Sequence, residues 1–237
     1  MEQGGEGITL YWNIVSQPSR SVKALLLAGN VPHKDVSINI MAQEQKGEEF
    51  TKVNPRQLVP FIKDGDFGLS ESNAILKYLS DTQPSIPESY WPKDLKERYK
   101  VDQFLEYYQF HFRPAILAPL RTRIGQKMAG MKIPQDVLEL IAQQQTQTLE
   151  TFEKLLTQYD TTYVATNDVT IADLQLFFEI TNMHLLKESF DQYPAIKAWF
   201  DNVSKHEVVA KVQEQWSAVT TPIVGILNRP DEEPAKE

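Results

Sequence analysis

The sequence predicts an α/β N-terminal domain followed by an all-α C-terminal domain. Three observations carry that expectation. Strand and helix patterns alternate over roughly the first ninety residues, a proline-rich stretch breaks the chain at 81–93, and only helical spacing follows it. A length of 237 residues suits one large domain or two small ones. Hydrophobic residues make up 41% and charged residues 24%, enough to build a buried core.

Residues 8–15 are apolar and aromatic and read as a strand. Pro18 suits the first turn of a helix that runs through SVKALLLAGN and stops at Gly29-Asn30. Residues 36–40 alternate with a period of two and read as a half-buried strand. The charged segment 44–52 reads as a short helix with Phe50 as its inward anchor. The runs 58–62 and 67–69 flank the turn residues 63–66, so a β-hairpin is expected. Residues 71–79 form a helix with Ala74, Ile75, Tyr78 and Leu79 on one face. A helix between strands implies a parallel pair, and a tight turn an antiparallel one. The result is a small mixed sheet with helices on its faces.

The segment DTQPSIPESYWPK (81–93) holds three prolines and reads as a linker. Residues 94–112 have helical period, and Pro114 is expected to kink or break that helix. Over 135–158, Val137, Leu138, Ile141, Leu149, Phe152, Leu155 and Leu156 have inward-facing spacing, and QQQTQT (143–148) reads as the solvated face. Further helices are expected near 170–184, 193–204 and 207–219. The tail RPDEEPAKE is polar and expected to be disordered.

Composition excludes several functions. A formal net charge of −8 argues against a nucleic-acid binder, which needs a basic footprint. The absence of cysteine rules out disulfides, thiolate–metal sites and a cysteine nucleophile in this chain. The start MEQGGEG lacks the apolar core of a secretory signal, and no run approaches the ~18 apolar residues of a membrane span. A cytoplasmic setting is therefore expected. The four histidines, His33, His111, His184 and His206, show no metal-ligand spacing.

Four short motifs are candidates for function. In NPRQLVP (54–60), a cis Val59-Pro60 bond would leave the Val59 backbone N–H and C=O free to pair with an extended peptide; the alternative is a trans proline opening an edge strand. Glu71-Ser72 opens a helix, where free N–H groups attract carboxylates, Ser72 adds a donor and Glu71 suits an ammonium; the alternative is plain capping. Thr170-Ile171-Ala172-Asp173 has capping-box spacing, with Val169 set to staple onto Leu174, and reads as a folding device. Ser16 precedes the first helix. It is either an N-cap or a hydroxyl that donates to a thiolate, lowering a thiol pKa from its ordinary value near 8.5.

The stretches LYWNIVSQPSR (10–20), VNPRQLVPFIKDGDFGLSESNAILKYL (53–79), YWPKDLKERYKVDQFL (90–105) and VTIADLQLF (169–177) together resemble the cytosolic glutathione transferases, most closely their theta class. The resemblance runs from about Ile8 to about residue 220. It implies a thioredoxin-like glutathione-binding domain over 8–86 and an all-helical domain over 93–228 that binds an electrophile and forms a homodimer. Ser16 is implied to hydrogen-bond the glutathione sulfur, Pro60 to be the cis-proline and Val59 to pair with the cysteinyl unit. Glu71 and Ser72 would hold the γ-glutamyl end, and Arg113 would face the active site. Two positions depart from the theta pattern: Gln45 and Leu58 stand where histidine and lysine commonly hold the glycyl end. Gln45 can still donate a hydrogen bond and Leu58 cannot, so weaker glutathione binding is expected, with Lys46 as a substitute partner. The lack of cysteine separates the chain from omega- and beta-type relatives. The implied activity is conjugation of the glutathione thiolate to electrophiles, with reduction of organic peroxides as a related use and glutathione as co-substrate rather than cofactor. The rival is a non-catalytic binding or assembly module of the same fold.

Overall fold

The computed structural model describes residues 7–228. The tail expected to be disordered, 229–237, lies outside the described residues, as does the start 1–6. Four strands form one mixed sheet in the order β2-β1-β3-β4. β1 (Ile8–Trp12) pairs parallel with β2 (His33–Ser37), Ile8 opposite His33. α1 (Gln17–Ala28) supplies the crossover that a parallel pair requires. β3 (Phe61–Asp64) runs antiparallel to β1, and β4 (Phe67–Ser70) antiparallel to β3. Gly65, at φ 57°, closes the expected hairpin.

β2 starts three residues before the expected strand and ends at Ser37. The period of two did identify the face, since Val36 and Ile38 both pack toward Phe50 and Phe61. A side chain then ends the ladder. Asn13 Nδ2 donates to the Ile38 carbonyl at 2.8 Å, and Asn39 N turns to Glu44 Oε2 at 2.6 Å. The segment after it splits at Gly47 into a 3-10 turn (Glu44–Lys46) and α2 (Glu48–Val53), whose Phe50 is the buried anchor expected.

α1 is buried at every residue from Gln17 to Leu26, because the sheet covers one side and the helical domain the other. α3 (Ser72–Thr82) packs on the sheet through Ile75, Leu76 and Leu79; Ala74 and Tyr78, expected on that face, are half-buried. The linker is docked rather than free. Ile86, Tyr90 and Trp91 are buried, and a Cβ at Gly29 would meet Ile86 Cγ1 at 2.5 Å.

α4 (Leu95–Tyr107) is capped by Asp94, which accepts from Lys96 N and Glu97 N. It runs through a π-helical turn (Tyr108–Phe112) into α5 (Arg113–Ala129). The α-helical ladder is therefore interrupted just before Pro114, by a π-helical turn. The wide turn restarts the α-helical ladder, so the proline falls in the first turn of α5, where its missing N–H is tolerated. α6 (Gln135–Leu156) corrects another expectation. Its inward face is buried only at Leu149 and Phe152, while Val137 is 39% and Leu140 52% exposed (the latter off the expected stripe). The QQQTQT stretch is solvated or half-buried, as expected.

α7 (Ile171–Ile180) is buried throughout and carries both halves of the capping box. Val169 and Leu174, the expected staple pair, lie in the same core. Thr181 separates α7 from α8 (Asn182–Leu185), so the expected 170–184 helix is two. α9 (Pro194–Ser204) follows, and α10 (Glu207–Leu227) runs eight residues past its expected end. Phe112, Phe152 and Trp199 tie the π-helical turn, α6 and α9 together edge to face, with centroids 4.9 and 5.1 Å apart.

Candidate active site

A cavity of about 330 Å³ opens where the sheet domain meets α5 and α10. The loops after β1, β2 and α2 supply Val15, Ser16, Ile40, Met41, Gln57, Leu58 and Val59, the first residue of α1 supplies Gln17, and the 3-10 turn supplies Gln45. The opposite wall is Arg113, Leu117, Leu120, Arg121, Ile124 and Met128 from α5, residues three and four apart that share one helix face. Leu185 and α10 residues Trp216, Thr220, Ile223 and Leu227 complete a mainly apolar wall. The sheet-domain side thus mixes the Ser16 hydroxyl and three glutamine amides with apolar side chains, and the helical side is hydrocarbon apart from Arg113, Arg121 and Thr220.

Ser16 sits at the N-cap of α1 with φ −81° and ψ 116°, and Pro18 lies in the first turn. Its backbone N–H donates to Asn13 O at 3.0 Å and its C=O accepts from Arg20 N at 3.1 Å. Its side chain makes no capping hydrogen bond. The hydroxyl is therefore not used by the helix, and it lines the cavity beside the positive end of α1.

The Val59-Pro60 bond is cis. Val59 lines the cavity and Pro60 is buried behind it. Among the described residues, no hydrogen bond engages either backbone group of Val59. Gln45 also lines the cavity, and its buried Oε1 has no partner among the described residues. Leu58 is 55% exposed and holds Asn54 Nδ2 through its carbonyl at 2.8 Å. Lys46 is exposed and lies outside the lining.

Glu71 and Ser72 stand apart from the cavity lining, at the start of α3. Glu71 adopts φ 68° and ψ 110° and makes no capping bond. A non-glycine residue in that region is strained, and strain of this kind collects at functional positions. Its carboxylate accepts from Arg56 Nη1 at 2.9 Å. Ser72 is 8% exposed, and its hydroxyl oxygen accepts from Gln175 Nε2 at 2.7 Å, leaving its own proton to give.

Arg113 reaches the cavity but is not free. Its Nη1 donates to both Glu179 Oε2 and Tyr108 Oη. Burial works against its charge, but Tyr108 and Glu179 outweigh that and hold it above the ordinary arginine value. Burial raises the Glu179 carboxyl, and the arginines on either side pull it back. Glu179 Oε1 also accepts from Asn182 Nδ2 at 2.9 Å, and Asn182 Oδ1 accepts from Gln17 Nε2 at 2.7 Å. A buried polar chain thus connects α5, α7 and the residue next to Ser16.

The structure gathers Ser16, Gln45, Leu58, Val59 and Arg113 around one cavity. Sequence reasoning missed Gln17, Arg20, Glu179 and Trp216. Two carried a readable sign: Arg20 opens the apolar run SVKALLLA, and Glu179 interrupts LFFEI. A charge inside a buried run needs a partner or a purpose. Among the described residues, no three histidine, aspartate or glutamate side chains are placed to hold a metal.

Comparison with known proteins bears on the family and the fold. Residues 7–81 match the family model for the glutathione S-transferase N-terminal domain, and residues 130–215 the one for its C-terminal domain. Human glutathione S-transferase theta-2B is 29% identical over 227 residues, covering 91% of this chain and 92% of its own. The mouse theta-2 enzyme is 28% identical, covering 90% of this chain and 87% of its own. The crystal structure of human glutathione transferase theta-2, in complex with glutathione and an unknown ligand, superposes with a TM-score of 0.84 at 28% identity, covering 92% of this chain and 89% of that one. The two models together take in more than half of the chain, and the chain belongs to the glutathione S-transferase family; the relatives named here are of the theta class.

Proposed function

We propose that this protein conjugates the sulfur of glutathione to electrophilic small molecules. The observation that carries the reading is Ser16: an unengaged hydroxyl at the N-terminus of a buried helix, opposite a mainly apolar wall. The hydroxyl donates to the glutathione sulfur and favours the thiolate. The thiolate attacks an electrophilic carbon seated against α5 and α10, a C–S bond forms, and the leaving group departs with its electron pair. Val59 pairs with the cysteinyl backbone as an added strand would. Glu71 takes the γ-glutamyl ammonium and Ser72, with the α3 N-terminus, its carboxylate. Gln45 donates to the glycyl end, and Leu58 only packs there. Glutathione is a co-substrate in this scheme.

The reading assigns residues 8–86 to glutathione binding, and 93–228 to electrophile binding and dimerisation. It includes a cytoplasmic homodimer, which light scattering and cell fractionation check. Among the described residues, no helix is long and apolar enough to cross a membrane.

The test is turnover of 1-chloro-2,4-dinitrobenzene with glutathione, beside retention on immobilised glutathione. Losing a hydrogen bond to a charged sulfur costs about 1.5–3 kcal/mol, so Ser16→Ala should lower turnover by about 10- to 100-fold. Retention without turnover in the wild type would instead support a non-catalytic binding module. Cumene hydroperoxide as second substrate reports whether the same sulfur reduces peroxides.

A further inference from the structure

Arg20 is fully buried, yet among the described residues it forms no ion pair. Nη1 donates to Thr181 Oγ1 at 3.3 Å and Nη2 to the Phe178 carbonyl at 3.0 Å; Nε has no partner. A buried cation with only neutral acceptors is an expensive feature. Burial pulls its pKa down to about 9, and it stays charged at neutral pH.

Its placement relates it to the active site in two ways. The guanidinium carbon lies 4.5 Å from the ring centroid of Trp216, and Trp216 lines the cavity. Its backbone N–H donates to the Ser16 carbonyl, so the charge sits one turn into the helix that Ser16 opens. The charged and titratable groups that act on it are Glu179 from α7, Tyr108 from the π-helical turn and Arg113 from α5. Glu179 is already bound by Arg113, Tyr108 and Asn182. The buried cluster therefore holds two cations and one anion, and one positive charge is left uncompensated beneath the cavity.

We infer that Arg20 is a positioning residue for charge: its uncompensated cation behind Ser16 and Trp216 helps hold the glutathione sulfur as thiolate, and Glu179 limits that field by neutralising Arg113. This rests on the thiolate reading of the site. A unit charge about 10 Å away, at an effective dielectric of about 20, moves a titration by about one pH unit. The two side chains then act in opposite directions, which a purely structural role would not produce.

The experiment titrates the ultraviolet thiolate absorbance of bound glutathione in wild type, Arg20→Met, Arg20→Lys and Glu179→Gln, with circular dichroism to confirm folding. Arg20→Met should raise the midpoint by about one pH unit, and Arg20→Lys should restore most of that shift. Glu179→Gln should lower the midpoint, since both arginines then act unopposed. Midpoints that stay at the wild-type value, or move the same way in Arg20→Met and Glu179→Gln, overturn the inference. Should Arg20→Met not fold, Glu179→Gln decides alone: a lower midpoint supports it and an unchanged or higher one refutes it. A wild-type midpoint equal to that of free glutathione would sink the thiolate reading itself, and this inference with it; a normal wild-type shift with unresponsive variants sinks the inference alone.

Discussion

Asp173→Ala should destabilise the protein far more than the loss of a surface helix cap. The Asp173 carboxylate is fully buried and accepts four hydrogen bonds. Oδ1 accepts from Val164 N at 3.0 Å and Trp199 Nε1 at 2.8 Å. Oδ2 accepts from Thr170 N at 2.9 Å and Thr170 Oγ1 at 2.7 Å. An exposed cap is worth about 1 kcal/mol. Alanine here strands the N–H groups of Val164, Thr170 and Trp199 in the core, while the Thr170 hydroxyl can turn elsewhere. Each stranded donor costs roughly 1–3 kcal/mol, and these penalties are not fully additive, so the sum is about 3–6 kcal/mol. That is a large part of a typical stability of about 5–15 kcal/mol. Urea unfolding followed by tryptophan fluorescence measures it. A loss of only about 1 kcal/mol would refute the argument that one carboxylate joins the loop before α7, α7 itself and α9.

Other expectations follow from single residues. Glu71→Gly should relieve backbone strain and leave stability equal or higher, while weakening glutathione about tenfold through the lost ammonium partner; calorimetry and thermal unfolding read the two effects, and unweakened binding would contradict the assignment. Leu58→Lys should tighten glutathione about fivefold by adding a cation near the glycyl end, an effect of about 1 kcal/mol that salt should reduce. His206, the half-buried N-cap residue of α10, has its pKa lowered by burial, against the pull of Glu207 and Asp173. Its folded pKa lies below the unfolded value near 6.5, so below about pH 6.5 the unfolded chain takes up a proton that the fold resists. Stability should therefore fall as the pH drops from 7.5 to 5.5, and less steeply in His206→Asn, as thermal melts at each pH would show.

Local chemistry was legible wherever one segment decides its own conformation. The Gly65 hairpin, the Pro18 helix start and the Thr170/Asp173 box follow from residues within a few positions of each other. Long-range contacts were not legible. β2 ends where it does because Asn13, 25 residues away, takes the Ile38 carbonyl. The first half of α6 has the spacing of a buried face but emerges from the packed bundle. Ser16 reads equally well as a cap or as a thiolate donor until its side chain is seen to leave the helix uncapped. The Gln17–Asn182 contact spans 165 residues, and no spacing rule reaches that far.

The most direct test of the central claim is the pH titration of thiolate absorbance for glutathione bound to wild type and to Ser16→Ala. The account predicts a wild-type midpoint below that of free glutathione, and a return toward the ordinary thiol value near 8.5 in the variant, with binding retained. Identical midpoints in the two proteins, both binding glutathione, would contradict it and leave Ser16 as no more than the residue before a helix.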